Sequence, residues 1–217
     1  GFEWGLWLFS LAVVTLSFLF GGGHPLTLAA SLIGVTALIF VAKGEVLGQI
    51  LTVVFSLAYA AVSLRFRYYG EMITYLGMSA PIAVAALVAW LRHPYRGNKS
   101  EVQVNTLSRR EWIIFAVCAV AVTIAFYFIL QALHTANLIV STISVLTSFA
   151  AAYLTARRSR FYAIGYGLND VVLIVLWSMA AATDLVNLPM VVCFAVFLLL
   201  DAYGFVNWSK MYRRQTA

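Results

Sequence analysis

Residues 112–130 read WIIFAVCAVAVTIAFYFIL, a run with no charged residue, preceded by Arg109, Arg110 and Glu111. A helix needs about 20 apolar residues to cross the hydrocarbon core of a bilayer, and this run supplies them without help from its flanks. Seven more runs have the same character: Trp4–Phe20, Leu26–Ala42, Val46–Leu64, Met72–Leu91, Leu138–Ala156, Phe161–Ala181 and Asn187–Asn207. The pattern predicts eight spans, numbered here in chain order, with 112–130 the fifth. Composition agrees. The chain is 63% hydrophobic and 10% charged, with a mean hydropathy of +0.93, whereas soluble domains are roughly 45–50% apolar and about 25% charged. The first run is not followed by a small-residue cleavage site, so it reads as a retained helix rather than a signal peptide.

Charge follows the connections. Lys43, the group Arg92, Arg96, Lys99, Arg109 and Arg110, the group Arg157, Arg158 and Arg160, and the group Lys210, Arg213 and Arg214 fall in alternate connections and the C-terminal segment. Together they hold 12 of the 14 basic residues, and the other connections hold only Arg65 and Arg67. Basic residues are retained on the cytoplasmic side, which predicts a bacterial inner-membrane protein with both termini in the cytoplasm. The net charge of +6 is thus explained by topology rather than by nucleic-acid binding. The long connection, residues 92–111 with HPYRGNKSEVQVN inside it, reads as a solvated cytoplasmic loop. No GxxxxGK[ST] phosphate loop occurs. Cys118 and Cys193 stand in apolar runs without ligand spacing, and read as small buried hydrophobes.

An internal repeat is visible. Span four ends AVAALVAWLR and span eight ends DAYGFVNWSK. Aligning Trp90 with Trp208 pairs spans two to four with spans six to eight. Span five then links two triplets of like direction, a parallel repeat of the kind some transporters carry. The expected organisation is an all-α polytopic membrane protein. It has an extra first span in 1–23, a triple-helix bundle in 24–91, the loop 92–111, the linker span in 112–136 and a second bundle in 137–217.

Ionisable groups at membrane depth usually face a cavity or the bundle interior. Asp170 lies mid-way along span seven beside Asn169, and Asp201 lies in span eight. At about 100° per residue, Tyr162, Tyr166, Asn169, Asp170, Leu173 and Trp177 share one arc of span seven. Phe194, Phe197, Asp201, Gly204 and Trp208 share one of span eight. Gln49, Thr52, Ser56, Tyr59 and Ser63 form a polar stripe on span three, and Glu71, Thr74, Tyr75 and Met78 one on span four. Thr147 and Ser148 lie on span six, where hydroxyls often only bind helices together. Aromatic faces favour a flat cationic ring, and an amide with a carboxylate suits hydroxyls or a carboxamide. The histidines, His24, His93 and His134, lie in connections, and no nucleophile–base or HExxH pattern appears. The expectation is a non-enzyme without metal or cofactor, with its polar and aromatic groups converging on one pocket between the triplets. The competing reading is a scaffold whose polar groups pair among themselves.

The stretches RYYGEMITYLGMSAPIAVAALVAWLRHPYRGNKSEVQVN, YGLNDVVLIVLW and DAYGFVNWSK resemble the PnuC family of vitamin transporters. The resemblance implies two three-helix bundles joined by a linker helix, 3+1+3 and SWEET-like, with one extra N-terminal helix. It implies uptake of nicotinamide riboside by facilitated diffusion with alternating access. A cytosolic riboside kinase would then trap the cargo by phosphorylation. Relatives carry thiamine or riboflavin, and a homo-oligomer is left open. The family's WxxWxxxN pattern falls here on Tyr162, Gly165 and Asn169, and its NxYGWxxW pattern on Asp201, Tyr203, Gly204, Phe205 and Trp208. On this basis the substrate contacts are expected from Tyr166 and Trp177 as stacking rings, Asn169 and Gln49 as hydrogen-bonding amides, and Asp170 or Asp201 as the balancing charge. Tyr59, Tyr75 and Thr52 complete the lining.

Overall fold

A computed structural model describes residues 1–65 and 69–217, with the side chains of Asn98 and Lys99 left aside; Arg67, counted above with Arg65, lies outside the described residues. Eight helices long and apolar enough to cross a membrane occur among the described residues. They are α1 Phe2–Gly21, α2 Pro25–Lys43, α3 Val46–Arg65, α4 Tyr69–Arg92, α5 Arg109–Ala132, α6 Leu138–Ala156, α7 Tyr162–Thr183 and α8 Leu188–Thr216. Their ends carry ordinary stop signals. Gly22 and Gly44 end α1 and α2 in the left-handed conformation, at φ 72° and 74°, which glycine adopts at no steric cost. Ser108 and Glu111 form a reciprocal capping box at the start of α5.

The predicted repeat is written into the packing. The first helix of each triplet lies against the last helix of the other, α2 against α8 and α6 against α4, while the second helix of each packs on both of its own neighbours. Trp208 Nε1 donates to the Val41 carbonyl of α2 at 2.9 Å, and Trp90 Nε1 donates to the Thr155 carbonyl of α6 at the same distance. Both indoles are fully buried, with centroids 5.4 Å apart. Tyr162 lies 4.8 Å from the Trp208 ring. This cluster closes the end of the molecule that carries most of the basic residues, the basic end. The repeat extends further than the triplets, since α1 packs on α2 and α8 as α5 packs on α6 and α4. Trp7 Nε1 donates to Thr36 Oγ1 at 3.2 Å, and the Tyr203 hydroxyl donates to Glu3 at 2.8 Å.

Two expectations are corrected. Residues 92–111 are not simply a solvated loop. Pro94–Tyr95 (β1) and Asn98–Val102 (β2) pair antiparallel, turning at Arg96 and Gly97 with φ 48° and 76°, the positive pair that tight hairpins demand. The hairpin is held by both halves. Val102 N–H donates to the Gly44 carbonyl, Asn105 N–H to the Arg158 carbonyl, and Glu101 pairs with Arg214. Helix α8 also runs to Thr216 rather than stopping near Asn207. Its last turns have a surface to lie on, with the Gln215 amide bonding Val104 N–H, Glu101 and the Val102 carbonyl.

Helix α4 is interrupted. Tyr75–Ser79 form a π-helical turn, with Ala80 N–H bonded to the Tyr75 carbonyl, five residues back. Pro81 follows. Proline has no N–H, and its ring crowds the preceding turn; the wider turn absorbs the misfit, as such bulges do near functional sites.

The α6–α7 contact sets a limit. A Cβ on Gly165 would stand 2.8 Å from Ala151 Cα and 2.9 Å from its nitrogen. Gly165→Leu should therefore part the two helices, at a cost of about 1–3 kcal/mol, as overpacking typically does, and lower the thermal midpoint in detergent by several degrees. Gly167→Leu, which would meet only Leu198 at 3.5 Å, should shift it little.

Candidate functional site

Between the triplets lies a cavity of about 70 Å³. Seven of the nine predicted residues line it. Gln49 and Thr52 come from α3, Tyr75 from the π turn of α4, Tyr166, Asn169 and Asp170 from α7, and Asp201 from α8. Helical spacing explains the convergence, because positions three and four apart share a face. Gly34, Phe55, Phe197 and Ser148, which are not among the nine expected contacts, also line the cavity. Phe197 was legible, since it shares the Asp201 arc of α8. Gly34 has no chemistry of its own. A Cβ there would come within 2.5 Å of Phe197 and 3.0 Å of Phe55, so the missing side chain is what admits both rings.

The polar groups are poised rather than consumed. Asn169 Oδ1 accepts from Thr147 Oγ1 and Ser148 Oγ, each at 2.9 Å. The α6 hydroxyls do bind helices together, and in doing so they hold the amide in place beside the cavity. Gln49 is 1% exposed, and neither of its amide atoms has a hydrogen-bond partner among the described residues. Asp170 and Asp201 lie close enough across α7 and α8 to interact, and each has one buried oxygen, Oδ2, without a hydrogen-bond partner among the described residues. Buried polar atoms are nearly always satisfied, and leaving one bare costs about 1–3 kcal/mol. A polar molecule with hydroxyl or amide groups would satisfy all of these at once. Among the described residues the lining contains no lysine, arginine or histidine.

Two predicted residues stand elsewhere. Tyr59 is buried behind the lining, its ring 4.5 Å from Tyr75 and 5.7 Å from Phe55. Trp177 lines a separate cavity of about 450 Å³ at the far end, together with Glu71 and Asn137; it packs in one hydrophobic cluster with Tyr59. Trp177 therefore does not share a cavity with Asn169. Its face was read properly, but eight residues carry it about 12 Å further along the helix axis. The resemblance motif also sorts itself out. Tyr162 belongs to the tryptophan cluster at the basic end, and Gly165 is spent on the α6–α7 contact. Tyr203 turns away from the cavity to Glu3 on α1.

Residues 24–210 match the nicotinamide mononucleotide transporter family. Over 216 residues the chain is 26% identical to the nicotinamide riboside transporter PnuC of Neisseria mucosa, covering 97% of this chain and 82% of that one. It is 24% identical over 191 residues to the protein of the same name in Haemophilus influenzae, covering 87% and 81%. A crystal structure of the vitamin B3 transporter PnuC matches the fold with a TM-score of 0.83 at 25% identity, over 99% of this chain and 93% of that one.

The carboxyl pair allows a test of the geometry that needs no ligand. Asp170→Leu or Asp201→Leu alone strands the other group and should cost about 1–3 kcal/mol. The double replacement removes both and should cost less than the sum. Thermal denaturation of the four proteins in detergent measures the coupling, and strict additivity would separate the two side chains.

Proposed function

The chain belongs to the nicotinamide mononucleotide transporter family, and we propose that its own cargo is the unphosphorylated riboside, nicotinamide riboside. The observation that carries this choice is the charge of the central cavity, two carboxyl groups with no basic residue in the lining among the described residues. A mononucleotide would bring a phosphate into contact with Asp170 and Asp201 without a compensating cation, and like charges at short range are costly in a low dielectric. The riboside instead carries a flat pyridinium ring, a carboxamide and ribose hydroxyls. Tyr166, Tyr75 and Phe55 offer ring faces to the cation. Asn169 and Gln49 can bond the carboxamide or ribose, and the aspartates can accept from hydroxyls while balancing the positive ring. The PnuC relatives are named for the same riboside.

The basic end faces the cytoplasm of an inner membrane under the positive-inside rule, with both termini on that side. The Trp90–Trp208–Tyr162 cluster then seals the inner route, and the Tyr59–Tyr75 pair narrows the outer one. Transport is alternating access, with the two halves rocking about the central cavity and α4 bending at its π turn. At about 70 Å³ the cavity falls well short of the roughly 300–1,000 Å³ of pockets that hold drug-sized molecules, so helix movement must open it to admit cargo. The cycle is facilitated diffusion, and a cytosolic kinase traps the riboside by adding the phosphate that the cavity disfavours.

Calorimetry on the purified protein with nicotinamide riboside, nicotinamide mononucleotide, thiamine and riboflavin tests the assignment. The riboside should bind, and Asn169→Ala or Gln49→Ala should each weaken it about tenfold, the equivalent of about 1.4 kcal/mol. Thiamine is also a flat cation, so clear binding of thiamine or the mononucleotide with none of the riboside would reject this cargo. Binding of none of the four would favour a scaffold.

A further inference from the structure

We infer that the far-end cavity is a second binding site, an antechamber that collects flat organic cations before they reach the centre. At about 450 Å³ it lies within the size range of ligand pockets, and it is several times larger than the central cavity. It is lined by Glu71 and Tyr69 of α4, Trp177 of α7, and Asn137 and Ser141 at the start of α6. Glu71 is half-buried and forms no ion pair among the described residues, and among those residues the cavity has no lysine or arginine in its lining and His134 as its one basic side chain. Thr135, also in the wall, has its hydroxyl buried without a hydrogen-bond partner among the described residues.

A carboxylate beside aromatic faces in a partly dry recess selects positive, planar molecules over neutral ones. The wall is firmly built on one side. A Cβ on Gly70 would come within 2.7 Å of both Leu130 and Thr135, so α4 is pressed against the end of α5 there. The antechamber also adjoins the centre. Trp177 in its wall packs in one cluster with Tyr59, and Tyr59 packs on Tyr75, which lines the central cavity. Glu71 and Tyr75 are one helical turn apart on α4. A cation held at Glu71 therefore waits directly outside the tyrosine pair. Its place on a transport path rests on the reading above; its preference for cations does not.

The test uses the full chain in lipid nanodiscs with Asn169→Leu disabling the central site, probed by equilibrium dialysis with N-methylnicotinamide and with neutral nicotinamide. The cation should bind weakly and the neutral amide not detectably. Adding Glu71→Gln should weaken cation binding about tenfold, and Glu71→Asp should restore part of it. In the otherwise unaltered chain, Glu71→Gln should raise the KM of riboside uptake several-fold and leave the saturating rate unchanged. Should Glu71→Gln fold poorly, Trp177→Leu with Glu71 intact should give the same loss of cation binding. Equal binding of cation and neutral amide, or binding and KM indifferent to Glu71 and Trp177, overturns the antechamber. Glu71-dependent cation binding in a chain that moves no riboside would uphold it and reject the transport reading instead.

Discussion

Each triplet of helices reaches across to the other, and the rest of the structure depends on that exchange. Were α4 packed only within its own triplet, and α8 only within its own, the halves would be self-contained and nothing would hold a polar cavity between them. Because α2 lies on α8 and α6 on α4, the two cross-contacts enclose a space walled by both halves. The reciprocal indole bonds, Trp208 to Val41 and Trp90 to Thr155, fix that exchange at the basic end. Lipid offers no hydrogen bonds to competing arrangements, so such bonds count for more toward specifying a unique packing than toward raw stability.

Within that frame the polar side chains divide into those that hold helices and those that face the cavity. Thr147 and Ser148 belong to the first group, bound to Asn169. Gln49 and the outward oxygens of Asp170 and Asp201 belong to the second. A scaffold would be expected to pair them all. Amide and carboxyl atoms without a partner among the described residues suit a wall that a polar molecule reaches.

The spans were legible because an uncharged apolar run of about 20 residues suits little but a bilayer core. The arcs of α3, α7 and α8 were legible because a helix repeats about every 3.6 residues. What periodicity reports is a direction around the axis, and it is silent about which cavity lies at a given depth. Periodicity thus gives the face of Trp177 but not its level, and it does not separate Tyr59 from Tyr75, which stands one layer in front of it. Gly34 and Gly165 were unreadable for another reason. Their contribution is room, for Phe55 and Phe197 in one case and for the Ala151 backbone in the other, and room depends on a partner helix distant in sequence. The hairpin and the long tail of α8 were missed together, since each is ordered by the other.

Because α1 and α5 each pack on the first helix of one triplet and the last helix of the other, the chain reads as two four-helix halves of like direction. A pair of identical chains in that arrangement would present every side chain twice and could only suit a symmetric guest. Carrying both halves on one polypeptide removes that restriction. One wall can offer Gln49 and aromatic rings from α3 and α4 while the opposite wall offers an amide and a carboxyl pair from α7 and α8. A molecule with two dissimilar ends can then be held in a single orientation.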